Sequence, residues 1–254
     1  MRLNPKDISR REKLILTGLY LSKFDQQGLG RLGFGSFTEA FNVAGYAMGA
    51  KPMTLKNYRD EFDPSFGNPR KGWHKRRLRD YCRTILEEYA ELGVDDFASL
   101  VTSFAGLSVD LSSEIEASGG GGEAESSYAK RLITGLAAEH YFEAVQPTIP
   151  EFEGYEAQNT TRIGCGYDFR LQSGQEPAFL AVEVKGLTER TGTLSLTPKE
   201  YQVATDLRER FFLFVVKNFQ ESPFHVIYRD PLRSDLSFAK KETIKVHTSW
   251  QSNV

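Results

Sequence analysis

The sequence predicts an α+β protein in three parts. An all-helical, helix-turn-helix-like domain covers 1–105, an acidic Gly/Ser-rich linker covers 106–127, and a C-terminal α/β domain with a central mixed sheet covers 128–254. Three observations predict it. Before 105, apolar residues recur at helical spacing, twice behind a Ser-x-x-Glu pair. From Ser118 to Gly122 the chain reads SGGGG among Ser and Glu, the composition of a flexible, self-solvating linker. Beyond it, short alternating runs and one all-apolar run take over, as strands require.

Taken in order, the first helix is predicted over 10–23, with Ser9 and Glu12 as a capping box and Leu14, Ile15, Tyr20 and Leu21 as its apolar residues. A glycine-rich turn follows over 28–35. Ser36 and Glu39 repeat the capping spacing before a second helix that contains Phe37, Ala40, Phe41 and Ala44. Thr54 is predicted to cap a third helix over 55–62, and Asp63-Pro64 and Asn68-Pro69 break the chain into a loop. Leu78, Cys82, Ile85, Leu86, Tyr89 and Leu92 mark a further helix ending at Gly93, and Asp95 is predicted to cap another through Phe104. In the C-terminal part the pattern predicts a helix over 127–145 and strands over 163–171 and 179–185. An extended stretch over 192–196 and a helix from the Thr197/Glu200 capping box to 210 come next, then strands over 211–216 and 224–228. The order helix, strand, strand, strand, helix, strand, strand is that of an α/β sandwich.

Composition excludes several classes. Of 254 residues 40% are hydrophobic, with 18 Phe and 11 Tyr, too apolar for a disordered chain. There is no apolar run of membrane-helix length, and the N-terminus leads into a charged helix instead of a signal peptide's apolar core. Two cysteines, Cys82 and Cys165, cannot build a disulfide framework, which places the expectation on a reduced, cytoplasmic protein. A net charge of −2 argues at first against a nucleic-acid partner. The average conceals a polarity, however. Residues 51–83 hold ten Lys/Arg against four acids, whereas 84–127 hold ten acids and no Lys or Arg. The alternative is that the two blocks neutralise each other on the surface.

Gly28, Gly30 and Gly33 match G-x-G-x-x-G, but a helix precedes them where a dinucleotide fingerprint needs a strand, so nucleotide binding is rejected. The chemically informative stretch is Gly164-Cys165-Gly166-Tyr167-Asp168-Phe169, followed by Glu183-Val184-Lys185-Gly186. Side chains alternate along a strand, so Phe179, Ala181, Glu183 and Lys185 share one face and Leu180, Val182 and Val184 the other. An acid and a lysine inside an apolar strand are costly to bury unless paired or metal-bound. With Asp168 on a neighbouring strand, two carboxylates can converge on one hard cation, and Lys185 beside it can orient water or stabilise developing negative charge. The alternative is a structural Glu–Lys pair at a strand end.

Asp168, Glu183 and Lys185 together resemble the signature of the PD-(D/E)xK nuclease superfamily. The run GCGYDF, FLAVEVKG, LSLTPKEYQVA and FFLFVV, over about 128–235, resembles its Mrr-type branch and is similar to the C-terminal domain family named after the plant protein NO VEIN. Tyr167 stands where the superfamily commonly has proline, a residue that is not a ligand. The resemblance implies a restriction-endonuclease-like core and an Mg²⁺-dependent DNA endonuclease, with Mn²⁺ as a substitute, in bacterial restriction or phage defence. Its partner is double-stranded DNA, and cutting both strands implies a homodimer. It further implies a supporting acid on the helix before the first core strand. Glu139 is favoured through an A-E-x-Y-F pattern, with Glu143 one turn on as the alternative. His140 is read as a helix-surface residue, and Thr197 and Glu200 as a capping box. Gln202 has no assigned role.

In the N-terminal part, two short capped helices followed by a polar third one suggest helix-turn-helix reading of DNA. The predicted contacts are Lys56, Asn57 and Arg59 on that helix, then Arg70, Lys71, Trp73, His74, Lys75, Arg76 and Arg77 in the basic loop. Asn and Arg suit base edges, Lys and Arg suit phosphates, and Trp73 suits stacking or wedging. The alternative is a solvated basic loop. A non-catalytic DNA-binding or regulatory module on the same fold is the competing function.

Overall fold

The first three helices begin where a side-chain cap or a proline sets them. The computed structural model describes residues 8–68, 70, 77–104, 122–242 and 252. Helix α1 (Arg10–Arg31) opens on the expected capping box, Ser9 accepting from the Glu12 N–H and Glu12 from the Ser9 N–H. It runs past the predicted end, kinked at Asp25 (φ 47°), so Gly28 and Gly30 lie in its last turns and the turn proper begins at Leu32. Helix α2 (Phe37–Ala47) is capped by Ser36 as predicted. Helix α3 (Pro52–Phe62) starts before the predicted cap: Lys51 is the N-cap and Pro52, with its φ preset for helix, takes the first position. Helices α4 (Asp80–Tyr89) and α5 (Val94–Ser103) follow. Gly93 caps α5, while Asp95 pairs with Arg31 at 2.6 Å.

Helix α6 (Gly122–Val145) begins five residues before the predicted start, so the end of the Gly/Ser-rich segment is helical. The strands are β1 (Glu156–Asn159), β2 (Phe169–Gln172), β3 (Leu180–Gly186), β4 (Phe211–Lys217) and β5 (Phe224–Arg229), with helix α7 (Pro198–Leu207) between β3 and β4. They form one sheet in the order β1-β2-β3-β4-β5. β3 and β4 pair in parallel and the other neighbours are antiparallel. Seven α-helices among the described residues and a five-stranded mixed sheet make the protein α+β.

The predicted order of elements is observed, but of the three strands predicted before α7 one is shortened and one is absent. The expected strand over 163–171 is extended only from Phe169, because Gly164 (φ 63°) and Gly166 (φ 94°) turn the chain through the left-handed region. The stretch 192–196 joins no strand. The third strand is instead β1, Glu-Ala-Gln-Asn, exposed at every position. It has no apolar alternation to betray it, and it closes the sheet as a short polar edge.

The expected alternation of β3 places its neighbours. Val182 and Val184 face α6, whose Ala137, Ala138 and Phe142 are buried against the sheet. The Phe142 ring lies 4.7 Å from Phe169 and 4.9 Å from Phe214. Ala181 faces the other way, into a smaller cluster with Phe211 and Ala204 of α7. α2 also packs along α6, and Asn42 donates to the carbonyls of Phe219 (2.7 Å) and Glu221 (3.1 Å). A single hydrophobic cluster therefore includes Leu19 of α1, Phe142 of α6 and Phe214 of β4.

Gly186 sets the distance between α6 and β3. A Cβ there would stand 2.8 Å from the Thr134 carbonyl oxygen and 3.1 Å from Ala138 Cβ. Gly186→Ala is therefore expected to push α6 off the sheet and to cost about 1–3 kcal/mol, as overpacked cores do. Equilibrium urea unfolding measures it, and an unchanged midpoint would contradict the close approach.

Candidate active site

The end of the sheet where β2 begins and β3 finishes gathers the acids and the lysine. Asp168 immediately precedes β2. Its N–H donates to the Val182 carbonyl (3.0 Å), and its Oδ2 accepts the Val184 N–H (2.9 Å), so its side chain continues the ladder beyond the last backbone pair. Its own carbonyl accepts from the Thr160 N–H at 2.7 Å. Gly166 permits the approach of α7: a Cβ there would lie 2.9 Å from Val203 Cγ2.

Glu183 lies on β3 with 3% of its surface exposed, opposite Leu213 of β4. One of its oxygens accepts from Lys185 Nζ at 2.6 Å. Lys185 Nζ also donates to Glu200 Oε2 at 3.0 Å. That oxygen is the one that caps Thr197 N–H at 2.9 Å, so Glu200 closes the capping box of α7 and holds Lys185 at once. The Thr-x-x-Glu spacing marks Glu200 as a cap; it gives no sign of the second contact, which depends on where α7 docks. Glu139 reaches the same place from α6, where it accepts from the Thr161 hydroxyl at 3.3 Å. Thr161 likewise carried no sequence signal.

The electrostatics are those of too many acids for one lysine. Burial, reinforced by Asp168, pushes the Glu183 carboxyl up to about 9, and Lys185 only partly opposes it. Burial, then Asp168, pushes Glu139 up to about 7. Asp168 is itself raised by burial, against the Val184 N–H that favours its anion. For Lys185, burial disfavours the charged form, but Glu183 and Glu200 outweigh it and hold the ammonium above its usual range. No set of three or more His, Cys, Asp or Glu side chains among the described residues is gathered closely enough to cage a metal alone. A hard cation of the magnesium kind needs only one or two carboxylates, with water and substrate oxygens completing its shell. Asp168 and Glu183 offer that number, and the raised carboxyls mark a deficit of positive charge that such a cation answers.

The alternative acid, Glu143, is exposed and sits 3.9 Å from His140 Nε2. His140 is half-buried, its Nδ1 2.9 Å from the Tyr46 carbonyl oxygen. Gln202 donates to Asp206 on the outside of α7 at 3.0 Å.

Of the predicted DNA contacts within the described residues, Lys56, Arg59 and Arg70 are drawn onto acids. Arg59 is a buried side chain, 8% exposed, bound to Asp60 at 2.7 Å and stacked over Phe37 and Phe41. In this position it cannot reach a base. Arg70 is drawn in by Asp63 (2.8 Å) and Asp25. Lys56 bridges to Asp60 at 2.7 Å, Asn57 is half-buried, and Arg77 is exposed. Lys71, Trp73, His74, Lys75 and Arg76 lie outside the described residues. Among the described residues, ion pairs of the basic block form largely with its own acids, Asp60, Glu61, Asp63 and Asp80. Asp95 of the acidic block pairs with Arg31, which lies outside the basic block.

Residues 137–229 match the family model described as Protein NO VEIN, C-terminal, a span that contains Glu139, Asp168, Glu183, Lys185 and Glu200. No curated protein and no solved structure matches the chain. No helix among the described residues is long and apolar enough to cross a membrane.

Proposed function

We propose that the C-terminal part is a restriction-endonuclease-like nuclease domain that hydrolyses phosphodiester bonds in double-stranded DNA, with the helical part engaging the DNA. The observation that supports this most is the meeting of Asp168, Glu183 and Lys185 at one sheet end, inside the span similar to the NO VEIN C-terminal family. Asp168 and Glu183, with Glu139 in support, would hold Mg²⁺ or Mn²⁺, which supplies Lewis acidity toward the scissile phosphate. Lys185 stands where an ammonium can orient the attacking water and stabilise the charge that gathers on the phosphoryl oxygens. Glu200 fixes that ammonium against the N-terminus of α7. Cleavage of both strands by one such site per chain calls for a homodimer, and bacterial restriction or phage defence is the setting proposed for it.

One observation favours a second reading. Lys185 is held between Glu183 and Glu200, as a structural pair would be in a non-catalytic DNA-binding or regulatory module. Incubating purified protein with supercoiled plasmid separates the two. Nicking is expected with Mg²⁺, not with chelator, and is expected to fall to background in Lys185→Ala. Equal nicking by both proteins would sink the nuclease assignment.

A further inference from the structure

A cleft lies between α1, the turn joining α2 to α3, and α6. Two cavities of about 570 and 580 Å³ share Arg10, Gly49, His140 and Ala144 as walls. Arg10, Arg11, Lys13 and Lys51 bring positive charge to them, and Glu143 is the acid on the walls. These cations, of which Lys51 alone belongs to the basic block, are held differently from Arg59 and Arg70. Arg10 donates to the Met48 carbonyl at 2.9 Å, and its guanidinium lies across Gly49 (φ +65°) at ordinary contact distance from where a Cβ would stand. Arg11 stacks over the Tyr81 ring at 4.1 Å, and Lys13 lies 6.0 Å from the Phe104 ring. Lys51 caps α3 through its backbone, and its side chain is exposed. A carbonyl or a ring fixes a cation without cancelling its charge. A carboxylate, as at Arg59 or Arg70, cancels it. His140 adds a ring fixed the same way: the Tyr46 carbonyl can only accept, so Nδ1 carries the hydrogen.

We propose that this cleft is a binding surface for the sugar-phosphate backbone of nucleic acid. Adjoining cavities of this size exceed what one phosphate needs and suit a chain of phosphates tracked by fixed cations. The cleft is also tied to the sheet end, because successive residues of α6, Glu139 and His140, serve the two places. A strand seated in the cleft would run toward Glu139. That direction, though not the binding itself, rests on the nuclease reading.

The test uses the full chain in chelator, a fluorescent duplex of arbitrary sequence, and anisotropy across a salt series. Lys13→Gln with Lys51→Gln is expected to reduce the slope of log affinity against log salt by about 1.8, at about 0.9 per phosphate contact. By the same relation, binding weakens on the order of a hundredfold at about 50 mM salt. Arg190→Gln with Arg229→Gln, two arginines already paired with Glu221 and Glu209, is expected to leave the slope unchanged. An unaltered slope in the lysine variant, with its melting temperature intact, overturns the cleft. Equally tight, lysine-dependent binding of a polyglutamate of matched charge overturns the nucleic-acid assignment. A chain that binds through the lysines but never nicks plasmid upholds the cleft and removes the nuclease reading. One that nicks while the slope stays unaltered does the reverse.

Discussion

In metal-free buffer near pH 8, Asp168→Asn is expected to melt several degrees above the unaltered chain while its Mg²⁺-dependent nicking falls to background. The side-chain oxygen of asparagine can still accept the Val184 N–H, so the ladder survives and only the charge is lost. That charge is the largest influence after burial on both Glu139 and Glu183. A carboxyl whose value is raised in the fold keeps its proton longer there than in the unfolded chain. Its stabilising contribution is complete at acid pH and is lost as pH rises through the folded value. For Glu139 that loss runs from the ordinary carboxylate range to about 7, and for Glu183 to about 9. The unaltered chain should therefore weaken from about pH 5 to pH 9, and Asp168→Asn should flatten the decline. Each kcal/mol recovered moves the melting temperature by about 2–4 °C in a chain of this size. Added Mg²⁺ should raise the melting temperature of the unaltered chain more at pH 8 than at pH 6, by mass action on the folded state, and leave the variant unmoved. Thermal melts at the two pH values decide it; a variant that melts lower, or responds equally to Mg²⁺, contradicts the account of the site.

The elements legible in the sequence are those whose signals are local. The capping boxes at Ser9 and Thr197 and the all-apolar β4 lie where residue spacing puts them, since helix starts and doubly buried strands are set by neighbouring residues. The two faces of β3 were legible for the same reason, and with them the side-by-side Glu183 and Lys185. What escaped depends on tertiary docking. β1 is polar because an edge strand needs no core face. Arg70 looks like a free cation until the fold brings Asp63 and Asp25 onto it, and Arg59, beside Asp60 in the sequence, until docking buries it against Phe37 and Phe41. The Arg10–Lys51 cleft joins residues far apart in sequence, so no local charge count reveals it.

Glu200 joins the two kinds of information, and a pair of substitutions separates its two contacts. Thr197→Ala removes the hydroxyl that accepts the Glu200 N–H and leaves the carboxylate beside Lys185. It is expected to cost about 1 kcal/mol of stability, as lost N-caps do, with nicking nearly intact. Glu200→Gln keeps a side chain that can complete the capping box, since glutamine serves at that position, but strips the charge that Lys185 leans on. It is expected to keep its melting temperature and lose nicking by roughly ten- to a hundredfold, the scale of a misplaced catalytic group. The pH profile adds a sign. Glu183 and Glu200 together hold the Lys185 ammonium above its usual range, so losing one of them lowers that value. The alkaline limb of the rate profile should then move to lower pH in Glu200→Gln and stay in place in Thr197→Ala. Were Glu200 only a cap, Glu200→Gln would be near neutral in both stability and activity, with the alkaline limb unmoved in both variants. Opposite patterns in the two variants are the expected outcome if one carboxylate both starts the helix and positions the lysine.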